Sequence, residues 1–114
     1  MSNKLEESRR LINETDAQMA KLFEQRMRAA KEVYAYKKEM GLPIFDPKRE
    51  AEVIERNAAL IADPTLRAYY VDYQKHLMEV SKAYQYALQG RGAEQDDADG
   101  GVASAESASE SPAK

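Results

Sequence analysis

The stretch LEESRRLINETDAQMAKLFEQRMRAAKEVYAYKKEM, residues 5–40, contains neither glycine nor proline, and it decides the fold. Six positions spaced seven residues apart in this stretch form a column: Leu5, Ile12, Met19, Arg26, Val33 and Met40. All of them are apolar except Arg26. This period predicts one long amphipathic helix, which Gly41 and Pro43 end. Such a helix spans about 54 Å, more than a domain of this size usually needs, so we expect it to pack on another chain.

Two shorter helices are predicted after the long one. Asp46 followed by Pro47 is typical of a helix start, and this second helix is expected to run to about Ala62. Asp63 and Pro64 repeat the pattern before a third helix that ends near Gly90. Its apolar stripe is predicted to consist of Leu66, Tyr70, Tyr73, Leu77, Val80, Tyr84 and Leu88. The predicted fold class is all-α, with one long and two shorter helices per chain and no strand.

The composition divides the chain into residues 1–89, the predicted domain, and residues 90–114. The stretch AEQDDADGGVASAESASESPAK, residues 93–114, has almost no large apolar side chain. Such a composition cannot bury enough apolar surface to fold. Residues 90–114 are therefore predicted to be an acidic, Ser/Ala-rich disordered tail or an interdomain linker.

The overall composition excludes several classes of function. A chain of 114 residues that is 43% hydrophobic builds only a modest core unless a partner adds apolar surface. The absence of cysteine excludes disulfides and a Cys nucleophile, and the lone His76 cannot make a metal site by itself. Charges interrupt every apolar run, so we expect no membrane span and a cytoplasmic protein. The net charge of -3 comes from residues 90–114, which carry -4, so residues 1–89 carry about +1 and do not favour nucleic acid as a partner.

Two cations lie on the inner face of the long helix. Arg26 stands in the apolar column, where a charge is costly unless it is paired. Lys37 follows eleven residues later, within about 20° of the same face. They line one groove and require a ligand, unless Arg26 pairs with a carboxylate and Lys37 extends to solvent.

Arg9 cannot reach this groove within one chain, because it precedes Arg26 by about 25 Å along the helix axis. In an antiparallel pair of chains, the start of one long helix lies beside the middle of the other. Arg9 can then join Arg26 and Lys37 across the pair, although a solvated surface arginine is the alternative.

Further polar residues occupy the inner faces of the two shorter helices. Glu50 projects along the apolar line of the second helix, and Arg49 lies beside it. Ser81 and Gln85 stand four residues apart on the third helix and offer neutral hydrogen-bonding groups to the same space. A purely structural role is the alternative for this neutral pair.

Together these positions form a recognisable pattern. Its residues are Arg9, Ile12 and Asp16 as R-x(2)-I-x(3)-D, Arg26 in LFEQRM, Lys37 in YAYKK, Asp46, Arg49 and Glu50 as D-x(2)-RE, and Ser81 and Gln85 as S-x(3)-Q. Over residues 5–89 the sequence resembles the all-helical (type II) chorismate mutases. The resemblance implies an intertwined homodimer with two identical sites, each of which takes Arg9 from the partner chain. It also implies an isomerase of phenylalanine and tyrosine biosynthesis that converts chorismate to prephenate without a metal or organic cofactor.

The resemblance assigns roles to the site residues. Arg26 and the partner's Arg9 hold the two carboxylates of chorismate, assisted by Ser81. Lys37 and Gln85 stabilise the negative charge that grows on the ether oxygen.

The start of the second helix supplies the remaining groups. Glu50 accepts a hydrogen bond from the ring hydroxyl, aided by the backbone near Asp46. Arg49 supports Glu50 and a carboxylate.

Two other functions compete with this interpretation. A lyase of the same fold eliminates pyruvate from isochorismate, but such relatives tend to have an altered segment where this chain has DPKRE. A non-catalytic helical dimerisation or regulatory module needs only the apolar stripes. It does not explain the inward polar residues.

Overall fold

The computed structural model describes residues 3–91, which form α1 (Lys4–Met40), α2 (Pro47–Ala58), a 3-10 turn (Pro64–Leu66) and α3 (Arg67–Arg91). This part of the chain contains three α-helices and no strand, so the all-α prediction is confirmed. Of the predicted tail, residues 92–114 lie outside the described residues. Within residues 3–91, no helix combines the length and the apolarity needed to cross a membrane.

Local signals set both ends of α1. At the start, the side chain of Asn3 accepts a hydrogen bond of 2.8 Å from the Glu6 N–H. At the end, Gly41 adopts a left-handed conformation with φ 70° and ψ 30°. This conformation lets the N–H of Leu42 donate to the Lys37 carbonyl at 2.8 Å, which satisfies one of the last carbonyls of the helix.

The end of α2 differs from the prediction. It ends at Ala58 and not near Ala62. The N–H groups of Leu60 and Ile61 donate to carbonyls three residues back, those of Asn57 and Ala58, at 3.0 and 3.1 Å. These tighter bonds turn the chain out of the helix ahead of the Asp–Pro pair.

The third helix starts as a 3-10 turn. Asp63 caps this turn, since its Oδ1 accepts from the Thr65 N–H at 2.9 Å and from the Thr65 hydroxyl at 2.7 Å. The side-chain bond and then the backbone bond favour the carboxylate and hold the pKa of Asp63 below its ordinary value. The α-helix proper follows from Arg67 and ends at Arg91, one residue past the predicted end.

The third helix is the central element of the chain, because it packs against both α2 and α1. The small apolar core lies between α3, the C-terminal half of α1 and the connection to α2. Its buried members are Tyr34, Ile44 and Leu88, and Tyr84 packs against them. A core this small leaves much apolar surface uncovered.

The buried face of α3 matches the predicted apolar stripe only in part: Leu88 is buried, and four other members of the stripe are half-buried. Leu66 and Tyr73 of that stripe are 51% and 46% exposed. Three of the buried residues of α3 are instead polar: Gln74, Ser81 and Gln85. The stripe prediction counted apolar side chains alone, whereas the helix rotates its hydrogen-bonding edge toward α1 and α2.

The N-terminal half of α1 has no covering element within the described part of the chain. Every residue from 4 to 25 is exposed. The large apolar side chains in this half include Leu5, Leu11, Ile12, Met19, Leu22 and Phe23. The long helix also makes the chain elongated, at 56 × 32 × 22 Å.

Candidate active site

A cavity of about 190 Å³ opens between the C-terminal half of α1, the start of α2 and the middle of α3. Seven of the eight predicted site residues line it. They are Arg26, Lys37, Asp46, Arg49, Glu50, Ser81 and Gln85. Arg9 is exposed on α1 and is not among the lining residues.

Arg26 enters the cavity from α1 and is held by α3. Its Nη1 donates to Ser81 Oγ at 2.6 Å. That hydroxyl is buried and lies 3.8 Å from the sulfur of Met27. The partner of Arg26 within residues 3–91 is therefore a neutral hydroxyl and not a carboxylate, which leaves guanidinium donors for an anionic ligand.

Lys37 lies three turns further along the same face of α1. Its Nζ donates to the carbonyl of Ile44 at 2.9 Å, in the connection between α1 and α2. One bond fixes the ammonium at the cavity wall, and an ammonium has two further donors.

Gln85 lines the cavity from α3, beside these two cations. Its Nε2 donates to the Ala30 carbonyl of α1 at 2.7 Å, and the residue is 7% exposed. The bond orients the carboxamide, and its second N–H is the donor that remains.

The first turn of α2 contributes one wall of the cavity. Asp46 Oδ1 accepts from the Arg49 N–H at 3.1 Å, which is the predicted cap of this helix. Both residues are exposed at the rim, whereas Glu50 is half-buried. Asp46 is thus a helix cap and a cavity residue at once.

Lys82 is a cavity residue that the sequence analysis missed. Its Nζ lies 3.0 Å from Glu50 Oε2, 3.3 Å from Glu79 Oε2 and 4.3 Å from the centre of the Phe45 ring. Partial burial lowers the pKa of Lys82, but the hydrogen bonds and charges of the two carboxylates outweigh this and raise it above its ordinary value. Lys82 is therefore a cation throughout the physiological pH range.

The spacing of α3 was the signal that would have identified Lys82. It follows Met78 by four residues and precedes Gln85 by three, so all three side chains lie on one helix face. Met78, Ile44 and Val53 give the cavity an apolar wall. These apolar residues were not predicted as site residues either.

The charges around the cavity favour a small anionic ligand. Four cations line it, Arg26, Lys37, Arg49 and Lys82, against two carboxylates. Within residues 3–91, no group of three or more His, Asp or Glu side chains is placed to hold a metal ion. The arrangement can bind carboxylates and stabilise developing negative charge.

Comparison with known proteins agrees with this chemistry. Residues 8–86 match the family described as chorismate mutase type II. A relative from Methanocaldococcus jannaschii named "Chorismate mutase" is 41% identical over 56 residues, which are 49% of this chain and 57% of that protein. The matched region thus spans little more than half the length of that relative. No solved structure matches the chain. Because the family match extends from the first half of α1 into the last turns of α3, the chain belongs to the chorismate mutase type II family.

Proposed function

We propose that the protein converts chorismate to prephenate, an intramolecular [3,3] rearrangement in phenylalanine and tyrosine biosynthesis. The observation that carries this proposal is the meeting of seven predicted site residues, distant in sequence, around one cavity. Membership of the family and the printed name of the M. jannaschii relative support it.

Binding starts from the two carboxylates of chorismate. Arg26 is already oriented by Ser81, so its free guanidinium donors can take one carboxylate as a fork. The partner's Arg9 takes the other. Holding both carboxylates favours the compact diaxial conformer in which the two bond-forming carbons meet.

Residues of α1 and α3 stabilise the charge of the transition state. As the C–O bond breaks, negative charge grows on the ether oxygen. Lys37 and Gln85 each have one bond to a backbone carbonyl, at 2.9 and 2.7 Å, and donors to spare. Donors fixed in advance stabilise the transition state more than the ground state.

The first turn of α2 recognises the ring. Glu50 accepts a hydrogen bond from the ring hydroxyl, close to the backbone that Asp46 caps. Arg49 lies at the rim and supports Glu50 and a substrate carboxylate.

The site is complete only in a homodimer. Arg9 lies about 25 Å from Arg26 along α1, so one chain cannot bring both to one ligand. The exposed apolar face of residues 4–25 is the surface that a second α1 would cover. Two antiparallel long helices place the partner's Arg9 beside the open side of the cavity.

The test is the loss of chorismate absorbance on mixing with the purified protein, with the product identified by chromatography. We expect prephenate. Lys37→Met should lower kcat/KM by about 10²–10³-fold, the typical effect of one lost oxyanion donor. Lys38→Met is the matched control, because Lys38 is the exposed neighbour, and it should leave kcat/KM unchanged.

Other outcomes would overturn the proposal. Salicylate and pyruvate formed from isochorismate would assign the lyase reaction. A folded protein that turns over neither compound would indicate a helical dimerisation module.

A further inference from the structure

We infer that Lys82 is a positioning residue for Glu50, whose carboxylate it holds at the cavity wall as the acceptor for a substrate hydroxyl. The inference rests on the proposed function and deepens it. It extends the site to a residue outside the pattern that identified the other polar and charged lining residues.

The first support is the geometry of the pair. Lys82 Nζ lies 3.0 Å from Glu50 Oε2 and 3.4 Å from Oε1, so one ammonium spans both carboxylate oxygens. The two side chains are 16% and 25% exposed, and both line the cavity. Because both side chains are partly buried, solvent and salt screen their attraction less than they screen an ion pair on the surface.

The second support is the way the ammonium itself is fixed. Glu79 approaches it at 3.3 Å, and the Phe45 ring lies 4.3 Å away in a cation–π contact. With Glu50, these contacts surround the ammonium with two carboxylates and one aromatic ring. Lys82 therefore acts through Glu50 and does not itself bind a substrate carboxylate.

The charge of the ligand explains why the cavity needs this pair. A substrate with two carboxylates enters beside Glu50, and an uncompensated carboxylate there would repel it. Removing Lys82 leaves the Glu50 charge partly buried and unpaired, which costs more than the loss of a surface contact. The freed carboxylate would also move away from its position at the start of α2.

The experiment is a double-mutant cycle on the full chain with chorismate as substrate. Lys82→Met keeps the length of the side chain and removes its charge, and it should lower kcat/KM by up to about a hundredfold. Lys82→Arg keeps the ion pair and should restore most of the activity. Lys75→Met is the matched control, two turns earlier on α3 and exposed, and it should behave as wild type.

The cycle separates positioning from direct action. If Lys82 acts through Glu50, adding Lys82→Met to Glu50→Gln should lower kcat/KM by less than about threefold. A full further loss on that background, wild-type activity in Lys82→Met, or no recovery in Lys82→Arg would each overturn the inference.

Thermal unfolding followed by circular dichroism checks that each variant is folded. If Lys82→Met is unfolded at the assay temperature, Lys82→Gln replaces it and the same outcomes apply. An inactive wild-type protein would contradict the proposed function, whereas a fully active Lys82→Met protein contradicts this inference alone.

Discussion

Hydrogen bonds between α1 and α3 orient single side chains at the cavity. Arg26 donates to Ser81 at 2.6 Å, and Gln85 donates to the Ala30 carbonyl at 2.7 Å. Both bonds join residues far apart in the sequence. Each sets the direction of a polar group before any ligand binds, which is the condition under which a donor stabilises a transition state.

Replacing Gln85 with Glu makes its donors conditional on pH. A free Glu titrates near about 4.3; Lys37 would lower that value, and burial would raise it. The Ala30 carbonyl also favours the protonated form, because only that form can donate to it. We expect Gln85→Glu to be active at low pH and to lose kcat/KM as pH rises through the pKa of the new group. Once ionised it should lose at least about 10²–10³-fold.

The measurement is kcat/KM from pH 4.5 to 8, after each protein is shown to be folded. Wild type should be flat through the neutral range. Gln89→Glu makes the same chemical change one turn later on α3, where the side chain is exposed, and should follow wild type. A Gln85→Glu profile that matches wild type would show that Gln85 does not face the breaking C–O bond.

The long helix ends at a residue in the left-handed conformation, which lets the N–H groups just after the helix bond to its last carbonyls. Gly41 has φ 70°, a conformation that side chains with a Cβ rarely adopt. The turn it makes returns the chain toward Ile44, whose carbonyl accepts from Lys37. The end of α1 thus determines both the length of the helix and the place of one cation.

Gly41→Ala should lower the free energy of unfolding by about 1 kcal/mol. No atom lies within 4 Å of the Cβ that it adds, so the cost comes from the backbone alone. Gly90→Ala is the control: its Cβ is equally free of contacts, but Gly90 is helical, and alanine there should stabilise the protein by about 0.5 kcal/mol. Urea unfolding at one protein concentration measures both, and equal effects of the two variants would contradict this account.

At the scale of the whole molecule, the dominant feature is the half of α1 that nothing within residues 3–91 covers. A radius of gyration of 17.1 Å exceeds the value of about 13 Å for a compact domain of 100 residues. The large apolar side chains along residues 4–25 are 40% exposed or more. These properties favour an obligate or near-obligate dimer.

Mixing two inactive variants tests whether the dimer shares its sites. On the proposed function, Arg9→Ala removes the arginine that a chain contributes to its partner's site, and Lys37→Ala inactivates the site within its own chain. A heterodimer of the two has one complete site, so a fully exchanged equal mixture should recover about a quarter of wild-type activity.

Light scattering and a subunit-exchange assay accompany this measurement. Each variant alone, carried through the same exchange, should stay inactive. Verified exchange without recovery would refute the shared site, and a folded, active monomer at micromolar concentration would refute the dimer.

The sequence by itself determined the three helices, most of their ends and seven residues of the cavity. The period of residues 5–40, the caps at Asp46 and Asp63, and the turn at Gly41 all act over a few neighbouring residues. Interactions this local are visible in a single stretch of chain. The motif residues were recognisable because their spacing along each helix defines a face.

Only the tertiary structure decided how those faces meet. The pairing of Lys82 with Glu50 and the polar buried edge of α3 depend on the rotation and spacing of whole helices. A helical period allows several rotations that bury similar apolar area. The rotation seen here also satisfies the buried polar groups of α3 through bonds to α1 and α2, which no single helix can specify.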